Sequence, residues 1–206
     1  TMLVDTGCAG TDALEAACRR HGVALCDISL LIITHGHADH FAGAAALKAR
    51  TGVPLLCHKN AYRTLLEGRM PVVSPRGSLG ERLFYEAAEQ PPFSAVDAVM
   101  PDIVCAGDVA LDDYGVRARL IETPGHSSCS YSLVHGGREA IVGDILAASS
   151  VDGRLVPAWF ADDESLLFQS IERVLVLADT LYCGHGGPFT AAEVRAALRR
   201  EREGNA

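Results

Sequence analysis

The chain has 206 residues, 49% hydrophobic and 21% charged, which is enough for one sizeable core of ordinary globular composition. Its formal net charge of -8, without any run of Lys and Arg, speaks against nonspecific nucleic-acid binding, which needs a basic patch. No apolar stretch reaches membrane-spanning length and no basic-then-apolar leader opens the sequence, so neither a membrane segment nor a secretion signal is expected.

Met2-Leu3-Val4 reads as a strand running into the turn Asp5-Thr6-Gly7, with the N-terminal strand expected to be incomplete. Asp12 and Glu15 have the spacing of a capping box for a helix ending near Gly22. Ser29 to Ile33 is a short β-branched apolar run, a buried strand, and His35 follows its end. An alanine-rich helix is expected over Phe41 to Arg50, stopped near Gly52, then a strand over Val53 to Cys57 and a helix over Lys59 to Leu66. Residues 68–102 carry five prolines and little periodicity, and they read as an insertion or cover loop whose aromatics are Phe84, Tyr85 and Phe93. Two hairpins follow, around Asp112-Asp113-Tyr114-Gly115 and around His135-Gly136-Gly137. Asp163 to Leu177 is a helix with Leu166, Leu167, Ile171, Val174 and Leu175 on one face. Thr180 to Cys183 is strand-like, and Thr190 with Glu193 forms a capping box for a last helix.

The stretch Thr34-His35-Gly36-His37-Ala38-Asp39-His40 crowds three imidazoles and a carboxylate, although neighbouring cations repel. Gly36 removes bulk between His35 and His37, so their rings can point to one side. Asp39 and His40 open a helix. These N and O donors, with no cysteine among them, suit Zn, Fe or Mn at an open reactive site better than a closed structural zinc. His21, His58 and His135 read as ordinary structural or surface histidines. The seven cysteines, odd in number and without C-x-x-C spacing, read as reduced thiols of a cytoplasmic protein. Cys129 and Cys183 read as small buried hydrophobes rather than ligands.

His35-x-His37-x-Asp39-His40 resembles the signature of the metallo-β-lactamase-fold superfamily, closest in pattern to its glyoxalase II-like members. The other motifs are similar and in order: Asp5 in LVDTG, His126 in ETPGHSS, Asp144 in IVGDIL and His185 in LYCGHGG. The resemblance implies a single domain over 1–206, an α/β fold of the four-layer αβ/βα sandwich type with two mixed sheets and helices outside. It also implies two divalent metal ions, zinc before iron or manganese. His35, His37 and His126 would hold one; Asp39, His40 and His185 the other; Asp144 would bridge both. Asp5 would orient a ligand. Seven donors suffice for two metals with open positions, which can share a hydroxide for attack on a carbonyl or phosphoryl centre. Asp39 would relay a proton and so count as catalytic as well as ligating.

His37 stands where oxygen-reducing flavo-diiron members carry glutamate, and Asp144 where class B1 β-lactamases carry cysteine, which favours hydrolysis of a substrate other than a β-lactam. The expected substrate is a small ester, thioester or lactone. The alternatives kept are a mononuclear iron persulfide dioxygenase and a non-catalytic ligand binder. Only a short tail follows His185, where glyoxalase II adds a helical domain with basic residues, and the tyrosine of acyl-homoserine lactonases after the bridging aspartate is missing. Trp159 and Phe160 are candidates for packing an acyl chain, and a homodimer is left open.

Overall fold

The computed structural model describes residues 1–8, 10–77, 95–149 and 153–204. The expected cover residues Phe84, Tyr85 and Phe93 lie outside them. The chain divides into two compact units, Thr1–Val72 with Glu89–Ala106, and Val73–Ala88 with Gly107–Ala206.

The first unit is built on four strands in the order β1 (Met2–Val4), β2 (Leu30–Ile32), β3 (Leu55–His58) and β4 (Ile103–Cys105). Every pairing is parallel. Parallel strands carry continuous apolar runs because both faces are covered, and Leu30, Leu31, Ile32, Leu55, Leu56 and Cys57 are each 0% exposed. Strand β4, three residues just after Pro101 and only partly buried, was too short to stand out in the sequence.

Helix α1 (Thr11–Arg20) departs from the expected cap. Gly10 is its N-cap and no side chain caps it. Asp12 lies two positions past the N-cap, inside the first turn, and faces Arg50 at 3.4 Å instead. The alanine-rich helix is two helices, α2 (Ala38–Phe41) and α3 (Ala44–Thr51). The break has a cause in Thr6. Its hydroxyl accepts from the Gly43 N–H at 3.0 Å, and a Cβ at Gly43 would lie 3.2 Å from the Thr6 Cβ. The left-handed C-cap Gly52 ends α3, as its position predicts. Helix α4 (Tyr62–Glu67) follows β3.

The second unit is built on six strands. In chain order these are β5 (Val109–Ala110), β6 (Ala118–Glu122), β7 (Tyr131–His135), β8 (Glu139–Ile141), β11 (Thr180–Tyr182) and β12 (Phe189–Thr190). Their order across the sheet is β12-β11-β8-β7-β6-β5. Both expected hairpins are present, β5 with β6 and β7 with β8. A separate antiparallel pair, β9 (Leu146–Ala148) and β10 (Leu155–Pro157), was not anticipated because each strand is only three residues.

Helix α5 (Glu164–Leu177) starts at Asp163, whose carboxylate accepts from the Leu166 N–H at 2.9 Å. It buries Leu167, Ile171, Val174 and Leu175 in the unit's core with Val142, Ile145, Leu181, Val194 and Leu198. Leu166, expected on that face, stays 38% exposed. Its partner seven residues on is Arg173, so its row is the polar edge of the stripe. Helix α6 (Ala191–Gly204) opens with both arms of the expected capping box. The Thr190 N–H donates to Glu193 at 2.7 Å and the Glu193 N–H to the Thr190 hydroxyl at 3.2 Å. The Thr190 N–H and the Thr190 hydroxyl, each donating to the Glu193 carboxylate at 2.7 Å, hold that carboxyl below its ordinary range. No helix among the described residues is long and apolar enough to cross a membrane. All seven cysteines are free thiols.

Candidate metal centre

In the first unit the donors gather at the ends of β1 and β2, which run parallel and so deliver their following loops to one edge of the sheet. Asp5 sits directly after β1 with φ +59, a conformation a non-glycine residue adopts at some cost and that aspartate tolerates better than most. Its N–H is held by the Ile32 carbonyl at 2.8 Å. The carboxylate then accepts three bonds: the Thr34 N–H at 2.8 Å, the Thr34 hydroxyl at 2.7 Å and His40 Nδ1 at 2.7 Å.

A carboxylate only accepts, so His40 carries its proton on Nδ1 and presents the lone pair on Nε2. The same logic reaches His35. With its only proton given to Asp5, the Thr34 hydroxyl accepts from His35 Nδ1 at 3.0 Å, which again leaves Nε2 as the donor atom. The His35 ring centroid lies 4.5 Å from His37 and 4.0 Å from His40, and Asp39 Oδ2 lies 3.9 Å from His40 Nε2. All three imidazoles are buried.

In the second unit β6, β8 and β11 run the same way, β7 lying antiparallel between the first two. Their C-terminal ends therefore share an edge, and His126, Asp144 and His185 follow those ends. The loop carrying His126 is pressed onto the start of α5. The Ser170 hydroxyl donates to the Pro124 carbonyl at 2.6 Å and the Asp163 N–H to Gly125 at 3.0 Å. Gly125 has φ +133, and a Cβ there would stand 2.1 Å from the Leu167 nitrogen, so glycine is required.

His126 Nδ1 lies 2.8 Å from the Phe160 carbonyl oxygen. A carbonyl only accepts, so His126 too is protonated on Nδ1 and offers Nε2. That Nε2 stands 4.0 Å from Asp144 Oδ2, too long for a hydrogen bond, while His185 Nε2 approaches the same oxygen at 3.3 Å. Two imidazoles thus flank one carboxylate at separations that suit an ion between them. The chain is tied here by the Ala148 N–H to the His185 carbonyl at 2.7 Å and the Gly184 N–H to Gly143 at 2.9 Å.

Every residue named from the sequence thus lies with its own unit's donors: Asp5, His35, His37, Asp39 and His40 in one, His126, Asp144 and His185 in the other. The Trp159 ring stands 6.5 Å from that of His185. Phe160 lies next to it, but what its geometry defines is a backbone carbonyl holding His126. Sequence reasoning missed Thr34, Phe160 in this role and Ser170. A threonine beside a histidine is unremarkable, and nothing in a sequence marks a carbonyl. Burial and the nearby Asp144 carboxylate push the Cys183 thiol up to about 12 in the metal-free chain. Cys129 is buried with Sγ 3.3 Å from the Ser127 hydroxyl, and His58 is a buried cap accepting from the Asn60 N–H.

These motifs and elements define a class. The chain belongs to the metallo-β-lactamase superfamily, whose family model matches residues 1–191. It is 31% identical over 189 residues to a hydroxyacylglutathione hydrolase of Rhodopseudomonas palustris (strain BisB18), covering 90% of this chain and 57% of that protein. It is 26% identical over 183 residues to a β-lactamase hydrolase-like protein of Xylella fastidiosa (strain Temecula1), covering 87% of this chain and 37% of that one. A solved metallo-β-lactamase family protein from Thermus thermophilus matches in fold with a TM-score of 0.66 at 21% identity, over 99% of this chain and 69% of that one. The expected fold class, that of the metallo-β-lactamases with sheets and helices, is the one found. The chain spans little more than half the length of the hydroxyacylglutathione hydrolases it matches.

Proposed function

We propose that this chain is a metal-dependent hydrolase of small esters, thioesters or lactones. The observation that carries the reading is the fixed tautomer of His40 and of His126, each with Nδ1–H engaged by its own protein acceptor and Nε2 offered outward. A carboxylate or carbonyl behind a histidine is the arrangement that orients metal-ligating imidazoles. The donor sets proposed are those the motif order implies: His35, His37 and His126 for one ion, Asp39, His40 and His185 for the other, with Asp144 serving both. The nitrogen and carboxylate donors fit zinc, iron or manganese, with zinc first.

Divalent ions held there would supply activation of water and polarisation of an acyl carbonyl. The chain's own residues do the rest. Asp5 and the Phe160 carbonyl keep two imidazoles in one orientation. Asp39, 27% exposed at its side chain, is placed to take a proton and pass it to solvent. Trp159 supplies an apolar wall beside His185. The thioester branch is favoured by the relatives whose named substrate is hydroxyacylglutathione.

Both units are proposed to form one domain, supported by a family match that runs unbroken through both. A small-molecule substrate, with neither nucleic acid nor membrane as partner, and a cytoplasmic setting remain part of the proposal; the net charge of -8 supports the first. The test is elemental analysis of protein purified without chelators, with turnover on a panel of esters, thioesters and lactones. About two metal ions per chain, and turnover lost in Asp39→Ala, are expected. A chain with no metal after such a purification refutes the reading. One iron per chain with thiol-dependent oxygen uptake replaces it with a persulfide oxidoreductase.

A further inference from the structure

The residue that holds the Phe160 carbonyl in place lies far from it in sequence. Phe160 sits between two backbone hydrogen bonds to one short segment: the Arg76 N–H donates to the Trp159 carbonyl at 2.7 Å, and the Ala161 N–H donates to the Ser74 carbonyl at 2.9 Å. Pro75 and Phe160 face each other as an antiparallel bridge. A two-bond bridge of this length has little stability of its own, so the segment must be anchored elsewhere.

The anchor is the Arg76 side chain. Its Nε donates to Glu164 at 2.7 Å, its Nη2 to Glu201, and the guanidinium stands 5.2 Å from the centre of the Phe168 ring. Glu164 and Phe168 belong to α5 and Glu201 to α6, so one planar group joins two helices of the unit. The Arg76 side chain is only 13% exposed, whereas Arg119, Arg138, Arg173 and Arg202, in the unit's other arginine pairs, are 61%, 55%, 44% and 65% exposed. A fork with several donors in fixed geometry makes these contacts at once, and a lysine cannot.

We propose that Arg76 is a positioning residue for the candidate metal ligand His126. It locks the segment 74–76 against 159–161 and so fixes the carbonyl that sets the His126 tautomer. The proposal rests on His126 being a metal ligand only for its consequence in affinity; the tautomer itself is a property of the metal-free chain.

The experiment has two arms on the full chain, comparing Arg76→Ala, Arg76→Lys and Glu201→Gln with Arg202→Ala, a surface control on the same helix. In the first arm, nitrogen-15 histidine NMR of metal-free protein at mildly alkaline pH reads the His126 tautomer. The wild type and Arg202→Ala should show a single Nδ1–H form, and Arg76→Ala a mixture, with Arg76→Lys and Glu201→Gln between. In the second, zinc affinity by chelator competition should fall about tenfold or more in Arg76→Ala, as for loss of a group that orients a ligand. If Arg76→Ala does not fold, Glu201→Gln carries both arms. An unchanged tautomer in the folded variants overturns the proposal. A wild type that binds no zinc counts against the hydrolase reading, and the tautomer arm still decides the role of Arg76.

Discussion

Asp5 Oδ2 and His40 Nδ1 are joined at 2.7 Å, and the same carboxylate takes both the N–H and the hydroxyl of Thr34. One side chain in a left-handed backbone thus sets the tautomers of His40 and, through Thr34, of His35. Asp5→Asn keeps the volume but replaces one acceptor oxygen by a donor, so one of the three bonds becomes donor against donor. Metal affinity should fall about 10–100-fold. Stability should fall by about 1–3 kcal/mol, the cost of a buried polar group left without its partner. Chelator competition and urea unfolding measure the two. An Asn variant with undiminished affinity would show that Asp5 does not orient its histidines.

Gly125 makes a sharper demand. At φ +133 and with a would-be Cβ 2.1 Å from the Leu167 backbone, Gly125→Ala must either shift the His126 loop or displace the start of α5. A loss of about 2–5 kcal/mol is expected from the strain and the overlap together. Gly136→Ala is the matched control, because a Cβ there meets nothing closer than the Arg117 carbonyl at 4.0 Å. It should stay within about 0.5 kcal/mol of wild type. Equal costs for the two in chemical denaturation would remove the steric account.

How much of this was legible in the sequence depended on how local the determinant was. Thr190 and Glu193 reach each other across one turn, so the capping box could be read directly, and the continuous apolar run of Leu30 to Ile32 announced a covered strand. The split between α2 and α3 could not be read, because its cause, Thr6, lies far away along the chain. The donors themselves were visible as a motif, since their spacing within THGHADH is short. What holds them was not: the Phe160 carbonyl has no side-chain signature, and its link to His126 spans 34 positions. The three-residue strands β4, β9 and β10 are too short to show a period.

Asp102 offers a test of acid stability in the first unit. Burial raises its carboxyl, but hydrogen bonds from Lys48 and the Leu55 N–H, with the Lys48 charge, outweigh that and hold it below the ordinary aspartate value. A carboxyl depressed by folding contributes stability that is present above its unfolded pKa and is lost as pH falls through the folded one. The side chain is 41% exposed, so solvent screening keeps the contribution under about 1 kcal/mol. Asp102→Asn should therefore be slightly less stable than wild type at pH 7, with the gap closing below about pH 4. A gap that is unchanged in urea titrations at pH 3 and pH 7 would assign the effect to packing.

Metal removal should be felt as stability as well as activity. An ion that binds the folded chain and not the unfolded one adds about 4 kcal/mol at a free concentration a thousand times its dissociation constant. Chelator treatment should therefore lower the melting temperature, and added zinc should restore it. Asp144→Ala removes the carboxylate that stands between His126 and His185, at 4.0 and 3.3 Å, and should lose most of that response. Cys183→Ala should keep it, because that thiol belongs to neither proposed donor set. The comparison separates Asp144 from Cys183, which follow different strands, by their response to zinc rather than by their starting stability. Equal zinc responses in both variants would mean that the stabilising ion sits elsewhere than at Asp144.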